Sequence, residues 1–256
     1  MDSKERGEQI VDCLKKQKYV EVSYLKELFQ VSEMTVRRDL DRLEKQEVLV
    51  RVHGGARLIP QKMYEAPLGM RVLNQAEEKY LIGKYAANLI EEGDAVAFDD
   101  SSTTYAMIPY IQVKFTAITN HISIAADLVK NENAEVILLG GNLRKFSFSL
   151  VGQDMAVQMK RYHVDKVFLS AKAVDVNYGV SDATAAEGET KKAFIQSGRD
   201  VYFLFDHSKL NTCAFYNVCE FNQIKHLIIN QPEKDQEKYQ EFIRLCKKHH
   251  IDLHVV

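Results

Sequence analysis

The sequence predicts a chain in two parts. A small helical unit closed by a β-hairpin spans residues 1 to 59, and a larger α/β domain with a mostly parallel sheet spans residues 77 to 256. Three observations carry this expectation. The first sixty residues place charges and apolar residues at helical spacing and end in "VLVRVHGGARLI". Residues 60 to 76, "PQKMYEAPLGMRVLNQA", hold two of the four prolines and no clear apolar period, the signature of a linker. From Glu77 onward, helical stretches alternate with short apolar runs rich in β-branched residues.

Composition limits the function classes. The 256 residues are comfortable for two domains, and 46% hydrophobic content is enough for a core. A net charge of -2 argues against coating nucleic acid by bulk charge, so any DNA contact must come from a local patch. No stretch of about 18 apolar residues is available to span a membrane. The opening "MDSKERGEQI" lacks the apolar run of a secretory signal, so a cytoplasmic protein is expected. Cys13, Cys213, Cys219 and Cys246 are scattered without a CxxC pair, which suits reduced thiols and offers no zinc ribbon.

Three helices fit the small unit. The first runs from about Lys4 to Lys16, with Ile10 and Leu14 facing inward. The second is expected to start at an N-cap Ser23 and to turn Leu25, Leu28 and Phe29 inward. After the short connection "QV", a third opens at Ser32 and ends near Gln46. At about 100° per residue, Val36, Leu40 and Leu43 form one apolar stripe. Met34, Arg38, Arg42 and Lys45 then lie opposite that stripe, with Thr35 flanking and Arg37 at one edge. A strand pair follows, with Gly54-Gly55 as its two-residue turn.

A helical trio followed by a glycine-turned hairpin is the plan of a winged helix-turn-helix. The second helix of the pair enters the DNA major groove, and Arg51, His53 and Arg57 sit on or near the wing. The competing reading is a solvated, salt-bridged helix. Residues 1 to 57 carry 12 Lys and Arg against 11 Asp and Glu, so arrangement and not net charge must carry the DNA reading.

The stretch "VSYLKELFQVSEMTVRRDLDRLEKQEVLVRVHGGARL" resembles the DNA-binding domain of the DeoR family of bacterial transcription regulators. The likeness rests on Val31, Ser32, Thr35, Val36, Arg37, Arg38, Asp39, Leu40 and Leu43, then on Arg51, His53, Gly54, Gly55 and Ala56. It covers about sixty residues and implies that groove-facing and phosphate-contacting side chains lie here. The expected DNA-binding set is Ser32, Met34, Thr35, Arg37, Arg38, Arg42, Lys45, Arg51, His53 and Arg57.

The larger domain is expected to build strands at 95–98, 115–119, 134–139, 165–169, 200–205, 226–230 and 252–256. In open parallel sheets, ligands bind beyond the carboxyl ends of the strands. Several polar clusters sit there: "DDSSTTY" after the first run, Thr119-Asn120, Gly140-Gly141 followed by Arg144, and Asp206 to Lys209. The turn at Ser101 to Thr104 suits an anion at a helix start, and equally suits plain capping by Ser102 or Thr103. No G-x-G-x-x-G and no P-loop occur, so no nucleotide cofactor is expected. His249, His250 and His254 lack spaced partners, so no metal is expected.

This domain resembles the DeoR-family C-terminal sensor, similar in fold to ribose-5-phosphate isomerase and acyl-CoA transferase proteins, over roughly Glu77 to Asn230. Asp100, Ser101, Ser102, Thr103 and Thr104 match its "D-[SG]-G-T-T", with serine at Ser102 where the family carries glycine. Thr119-Asn120, Gly140-Gly141, Ser149 to Gly152, Lys191, and Asp206, Ser208 and Lys209 match its later motifs. The resemblance implies a site for a phosphorylated sugar or related metabolite, with Thr103 and Thr104 cradling phosphate and Lys191 and Lys209 supplying charge. Arg144 and Lys172 complete the expected effector set.

The expected function is that of an operator-binding regulator, a repressor of a carbohydrate-use operon, acting as a homo-oligomer on double-stranded DNA. Two rivals stand beside it. One is a sugar-phosphate isomerase-like enzyme with a DNA-binding appendage, although no isomerase-type acidic motif is visible. The other is a protein-binding module that uses the basic helix.

Overall fold

The structure is a computed structural model that describes residues 3–45, 49–58, 68–145, 147–232 and 236–256. The chain divides into two compact units, residues 1–67 and 68–256. The expected linker at 60–76 falls partly outside the described residues, at 60–67. Residues 68–73 form a helix and belong to the larger unit, which therefore starts earlier than the expected residue 77.

The small unit runs α1 (Ser3–Gln17), β1 (Tyr19–Glu21), α2 (Val22–Phe29), α3 (Glu33–Lys45), β2 (Leu49–Val52) and β3 (Gly55–Leu58). Ile10 and Leu14 of α1, Leu25 of α2, and Val36, Leu40 and Leu43 of α3 meet in one buried cluster with Val20, Leu49 and Ala56 of the sheet. The expected apolar stripe of α3 is the face that packs. Leu28 departs from expectation: it is 47% exposed, because Leu25 and Phe29 already fill the inward arc of so short a helix. The expected Ser23 cap also departs. The helix begins at Val22 with Glu21 as N-cap, and the Ser23 hydroxyl donates to the Glu21 carboxylate instead.

The hairpin belongs to a three-stranded antiparallel sheet in the order β1-β3-β2, so a strand between α1 and α2 joins the wing. Val52 pairs with Gly55, which makes His53-Gly54 the turn where Gly54-Gly55 was expected. Each glycine has its own reason. Gly54 has φ +77, a conformation L residues adopt rarely. A Cβ at Gly55 would come within 2.2 Å of the Val20 carbonyl oxygen, so β1 and β3 approach this closely only with glycine there.

The larger unit opens with α4 (Leu68–Leu73) and α5 (Ala76–Ala87), then β4 (Ala95–Phe98), α6 (Ser102–Tyr105), β5 (Phe115–Thr119), α7 (Ile122–Leu128) and β6 (Ala134–Leu138). A small hairpin β7 (Asn142–Leu143) and β8 (Leu150–Val151) leads into α8 (Gln153–Met159) and β9 (Val164–Leu169). Next come β10 (Ala173–Asp175), β11 (Gly179–Asp182), α9 (Ala185–Ser197), β12 (Gly198–Phe205), β13 (Tyr216–Cys219), β14 (His226–Ile229), α10 (Gln236–Lys248) and β15 (Asp252–Val255).

All seven expected strands are present, and together they form one parallel sheet in the order β15-β14-β12-β9-β4-β5-β6. The inner strands β4, β5, β9 and β14 are largely apolar and buried because both faces are covered, while the edge strands β6 and β15 keep exposed positions. Val96, Phe98, Phe168, Leu204 and Ile228 enter one core with Ile82 and Ala86 of α5 and Ile124 of α7. Their neighbours Ala97, Val167, Leu169, Phe203, Phe205 and Leu227 enter the other, with Met155 of α8, Phe194 of α9 and Phe242 of α10. A small antiparallel sheet, β10-β11-β13, packs on that second face. The strand order reverses between β4 and β9, which is where ligands bind in folds of this kind.

Gly55→Ala is expected to destabilise the protein by about 1–3 kcal/mol, since backbone must move to admit the methyl group. Gly69→Ala, where a Cβ meets nothing within 4 Å, serves as the contrast and should change stability by less than about 1 kcal/mol. Thermal unfolding followed by circular dichroism separates the two; equal midpoints would contradict the close approach of β1 and β3.

Candidate functional site

Two sites emerge, one in each unit. In the small unit, Gln30 closes α2 with φ 52 and sends the chain directly into α3. The Ser32 hydroxyl accepts from the Thr35 backbone N–H at 3.2 Å and lies 2.9 Å from the Thr35 hydroxyl. Ser32 therefore also caps α3, and Thr35 supplies the N–H it caps.

The charges on α3 sort by face. Asp39 is buried and accepts from Arg6 Nε of α1 at 2.5 Å, with Arg42 Nη2 at 3.6 Å. Asp39 thus braces α1 against α3. Arg42 turns toward it, and a Cβ on Gly7 of α1 would lie 2.7 Å from the Arg42 guanidinium. Arg51 on β2 pairs with Asp41 of α3, and its backbone N–H donates to Glu44 at 2.8 Å. Arg42 and Arg51 therefore tie helix to helix and wing to helix.

What faces solvent is narrower. Met34 is 68% exposed, Arg38 is exposed and has no ion-pair partner among the described residues, and Arg37 is exposed and pairs with Glu33 one turn earlier at 2.7 Å. His53 is exposed at the hairpin tip, and Arg57 lies over the Tyr19 ring at 5.7 Å on the outer face of the wing, beside exposed Val50. The Lys45 side chain lies outside the described residues.

The second site lies at the switch point of the parallel sheet. Asp99, immediately after β4, is fully buried. One of its carboxylate oxygens accepts from Ser101 N–H at 3.0 Å and from the Thr104 hydroxyl at 2.9 Å. The other accepts from Ser170 N–H, just beyond β9, at 2.9 Å, and pairs with Lys191 Nζ at 3.1 Å. Lys191 also meets Asp100 at 3.1 Å and Asp182 at 3.4 Å. Burial works against its charge, but Asp100, Asp99 and Asp182 hold the ammonium well above the ordinary lysine pKa. Burial likewise works against the Asp100 carboxylate, and Lys191 and Arg71 keep it well below the usual range.

Ser101 caps α6 by accepting from Thr104 N–H at 3.1 Å. Neither Ser101 nor Ser102 adopts positive φ, so glycine is not required in this turn. The Thr104 hydroxyl is used up within the turn, whereas Thr103 Oγ1 is buried with no hydrogen-bond partner. Asp100 Oδ2, Asn120 Oδ1 and His121 Nε2 share that condition. The His121 Nδ1 accepts from Ser123 and Ile124 N–H groups at 3.1 and 3.3 Å, which leaves the proton of the neutral ring on Nε2. Burial pushes its pKa down, partly opposed by Asp100. Buried polar atoms are normally paired, so four unpaired ones beyond β4 and β5 point to groups that a ligand supplies.

Cations surround this cluster. Lys209 Nζ donates to the Ser170 hydroxyl at 2.8 Å, and Arg71 of α4 donates to the Asp100 carbonyl at 3.1 Å. Lys79 donates to the Arg71 carbonyl at 2.5 Å, and burial, then the nearby Lys209 charge, pushes its pKa down to about 8. Arg144 pairs with buried Glu187, which also accepts from Ser149.

Other expected residues have structural duties. Thr119 Oγ1 accepts from His121 N–H at 3.2 Å, and Gly140 N–H donates to Gln158 at 3.0 Å. Gly141, with φ +149, lies against the Val151 carbonyl. Asp206 caps the turn at His207–Lys209, and Lys172 is exposed. Sequence reasoning did not select Asp99, His121, Asp182, Ser170 or Arg71. Asp99 and His121 adjoin residues that were selected, and strand-end position was the available signal. Arg71 lay in a segment read as linker.

Comparisons with known proteins agree on one family. The DeoR-like helix-turn-helix domain description matches residues 6–62, and the DeoR C terminal sensor domain description matches residues 74–231. The HTH-type transcriptional repressor GlcR of Bacillus subtilis (strain 168) is 35% identical over 99% of this chain and 96% of its own length. The glycerol-3-phosphate regulon repressor of Escherichia coli (strain K12) is 28% identical over 99% of each chain. Among solved structures, a ribose 5-phosphate isomerase A from Methanocaldococcus jannaschii aligns over 54% of this chain and 55% of its own, with 16% identity and a TM-score of 0.40.

Two outcomes follow from the charges. Lys191→Met leaves three carboxylates without their cation and is expected to cost about 3–5 kcal/mol in urea unfolding; a loss under 1 kcal/mol would deny the ion cluster its role. His121 has a folded pKa below its unfolded value of 6.5. Its contribution to stability is therefore present above pH 6.5 and lost as pH falls through the folded value. The stability difference between wild type and His121→Asn should shrink over that interval, and a difference that stays flat from pH 8 to about pH 5 would refute the depressed pKa.

Proposed function

The chain belongs to the DeoR family of transcription regulators, and on that premise we propose that it represses an operon for carbohydrate use under the control of a phosphorylated sugar or related metabolite. The outer face of α3 carries the reading. Its apolar stripe is spent on the core, and Asp39 and Asp41 are spent on braces, so Arg38 and Met34 remain to meet base edges and phosphates in the major groove, with Arg37 beside them paired to exposed Glu33. Ser32 and Thr35 stand at the amino end of α3, and His53 and Arg57 reach the backbone from the wing.

The site at the switch point supplies the sensor. His121 Nε2–H and the Thr103 hydroxyl can donate to an anionic or hydroxyl group, while Asp100 and Asn120 can accept from sugar hydroxyls. Lys209 and Arg71 supply charge beside them. Lys191 is compensated by its carboxylates, so it organises the site more than it attracts phosphate. Regulation requires that the effector bind DNA-competent and incompetent arrangements with different affinity. One short recognition helix reads few bases, so a homo-oligomer on symmetric half-sites about 34–36 Å apart, or multiples of that, fits the design. In this reading the protein works in the cytoplasm, residues 1–59 bind DNA and the larger unit senses. The relative named for the glycerol-3-phosphate regulon supports a phosphorylated effector.

Titration of an operator selected from random DNA, at fixed salt, tests the groove assignment. Arg38→Ala should weaken binding by about 1–3 kcal/mol, whereas Lys130→Ala, on an exposed lysine paired with Asp127, should leave it unchanged. Equal effects would reject α3 as the reading helix. A thermal-shift screen against aldose and ketose phosphates tests the sensor: a raised midpoint without turnover supports it by mass action, and turnover would restore the enzyme reading.

A further inference from the structure

We propose that His226, Asp252 and His254 form a binding site for a divalent transition metal of the zinc class at the β15 edge of the parallel sheet. Among the described residues they are the one group of three metal-ligating side chains within reach of one another, their ligand atoms all lying within 4.8 Å. Sequence spacing hid this site. His226 precedes His254 by 28 positions, and only the parallel pairing of β14 with β15 places it directly opposite Asp252. Residues two apart on a strand share a face, so Asp252 and His254 point the same way.

The distances suit a metal. His226 Nδ1 lies 3.0 Å and His254 Nε2 3.1 Å from the same Asp252 oxygen. A tetrahedral ion bonded at about 2.0–2.1 Å separates its ligand atoms by about 3.3 Å. Two of the three edges are thus near the required length, and only the histidine–histidine edge must close.

The surroundings orient both rings. The outward nitrogen of His254, Nδ1, lies 2.9 Å from the Tyr85 hydroxyl of α5. With Nε2 on a metal, Nδ1–H donates to that hydroxyl, the outer contact that metal-bound histidines commonly make. His226 stacks on Tyr202 at 4.6 Å, and Tyr202 on Phe168 at 5.1 Å, in a row that follows the strand pairing from β9 to β14. The Asp252 side chain is 57% exposed and both histidines 23%, so an ion can enter and water can fill the fourth position. Two imidazoles and one carboxylate favour zinc, nickel or copper over magnesium or calcium, which need more oxygen ligands. Bound there, the ion clamps β15 to β14 and, through Tyr85, to α5.

Calorimetric titration of the untagged full-length protein with Zn²⁺ tests the proposal. One equivalent should bind at roughly micromolar dissociation constant or tighter and raise the unfolding midpoint. Asp252→Asn and His254→Gln should lose this binding, and Tyr85→Phe should weaken it about tenfold. His163→Gln, at an exposed histidine elsewhere, should retain it. Unfolding without metal checks that each variant is folded; should one fail, Tyr85→Phe carries the comparison. Absence of saturable binding, binding that survives Asp252→Asn and His254→Gln, or a thiolate band with Co²⁺ in place of Zn²⁺ would each overturn the assignment.

Discussion

The Lys191 ammonium is buried among Asp99, Asp100 and Asp182, at 3.1, 3.1 and 3.4 Å. Taking such a charge out of water costs several kcal/mol, and only close, well-aligned carboxylates offset it. This requirement fixes positions across the fold. Asp99 and Asp100 follow β4, Asp182 ends β11, and Lys191 lies within α9. Asp99 also accepts from Ser170 beyond β9, so one carboxylate spans the point where the strand order reverses. The unpaired Thr103 Oγ1 and Asp100 Oδ2 lie in the turn after β4 that this cluster organises.

The small unit uses the same device at smaller scale. Asp39 takes Arg6 and draws Arg42, and Asp41 takes Arg51. Each pairing removes an arginine from the list of free cations and stiffens the frame around α3. The cation left free of ion pairs among the described residues of α3 is Arg38, beside Met34 on the face away from the core. A nearly neutral unit can therefore present a local basic face without a net basic charge. A helix of 13 residues, packed along one stripe and braced at two points, holds that face steady.

The β14–β15 edge shows a third use of register. Pairing His226 with Asp252 sets a hydrogen-bonded trio with His254 at the end of a stacked aromatic row. On strands, the period of two decides which side chains can meet, and parallel pairing decides which distant segments supply them.

Apolar periodicity alone determined the seven parallel strands, the three helices of the small unit and the core stripe of α3, because burial must follow the period of each element. Strand-end position selected Asp100, Thr103, Asn120 and Lys209, whereas Lys191, inside α9, came only from the family resemblance. Short mixed elements were not legible: β1 (YVE), β10 (AVD), β11 (GVSD) and β13 (YNVC) lack the apolar run that marked the equally short β4 (AVAF). The hairpin turn shifted by one residue because both Gly54 and Gly55 satisfy a turn rule, and only the approach of β1 assigns Gly55 to packing. Tertiary structure alone decided which charges are spent. Arg38 and Arg42 look alike along the helix, yet one faces solvent and the other turns to Asp39, a choice made by where α1 packs. Sequence carries the periods that bury a face; the partners of a charge come from segments far apart in the chain, and only folding brings them within a few ångströms.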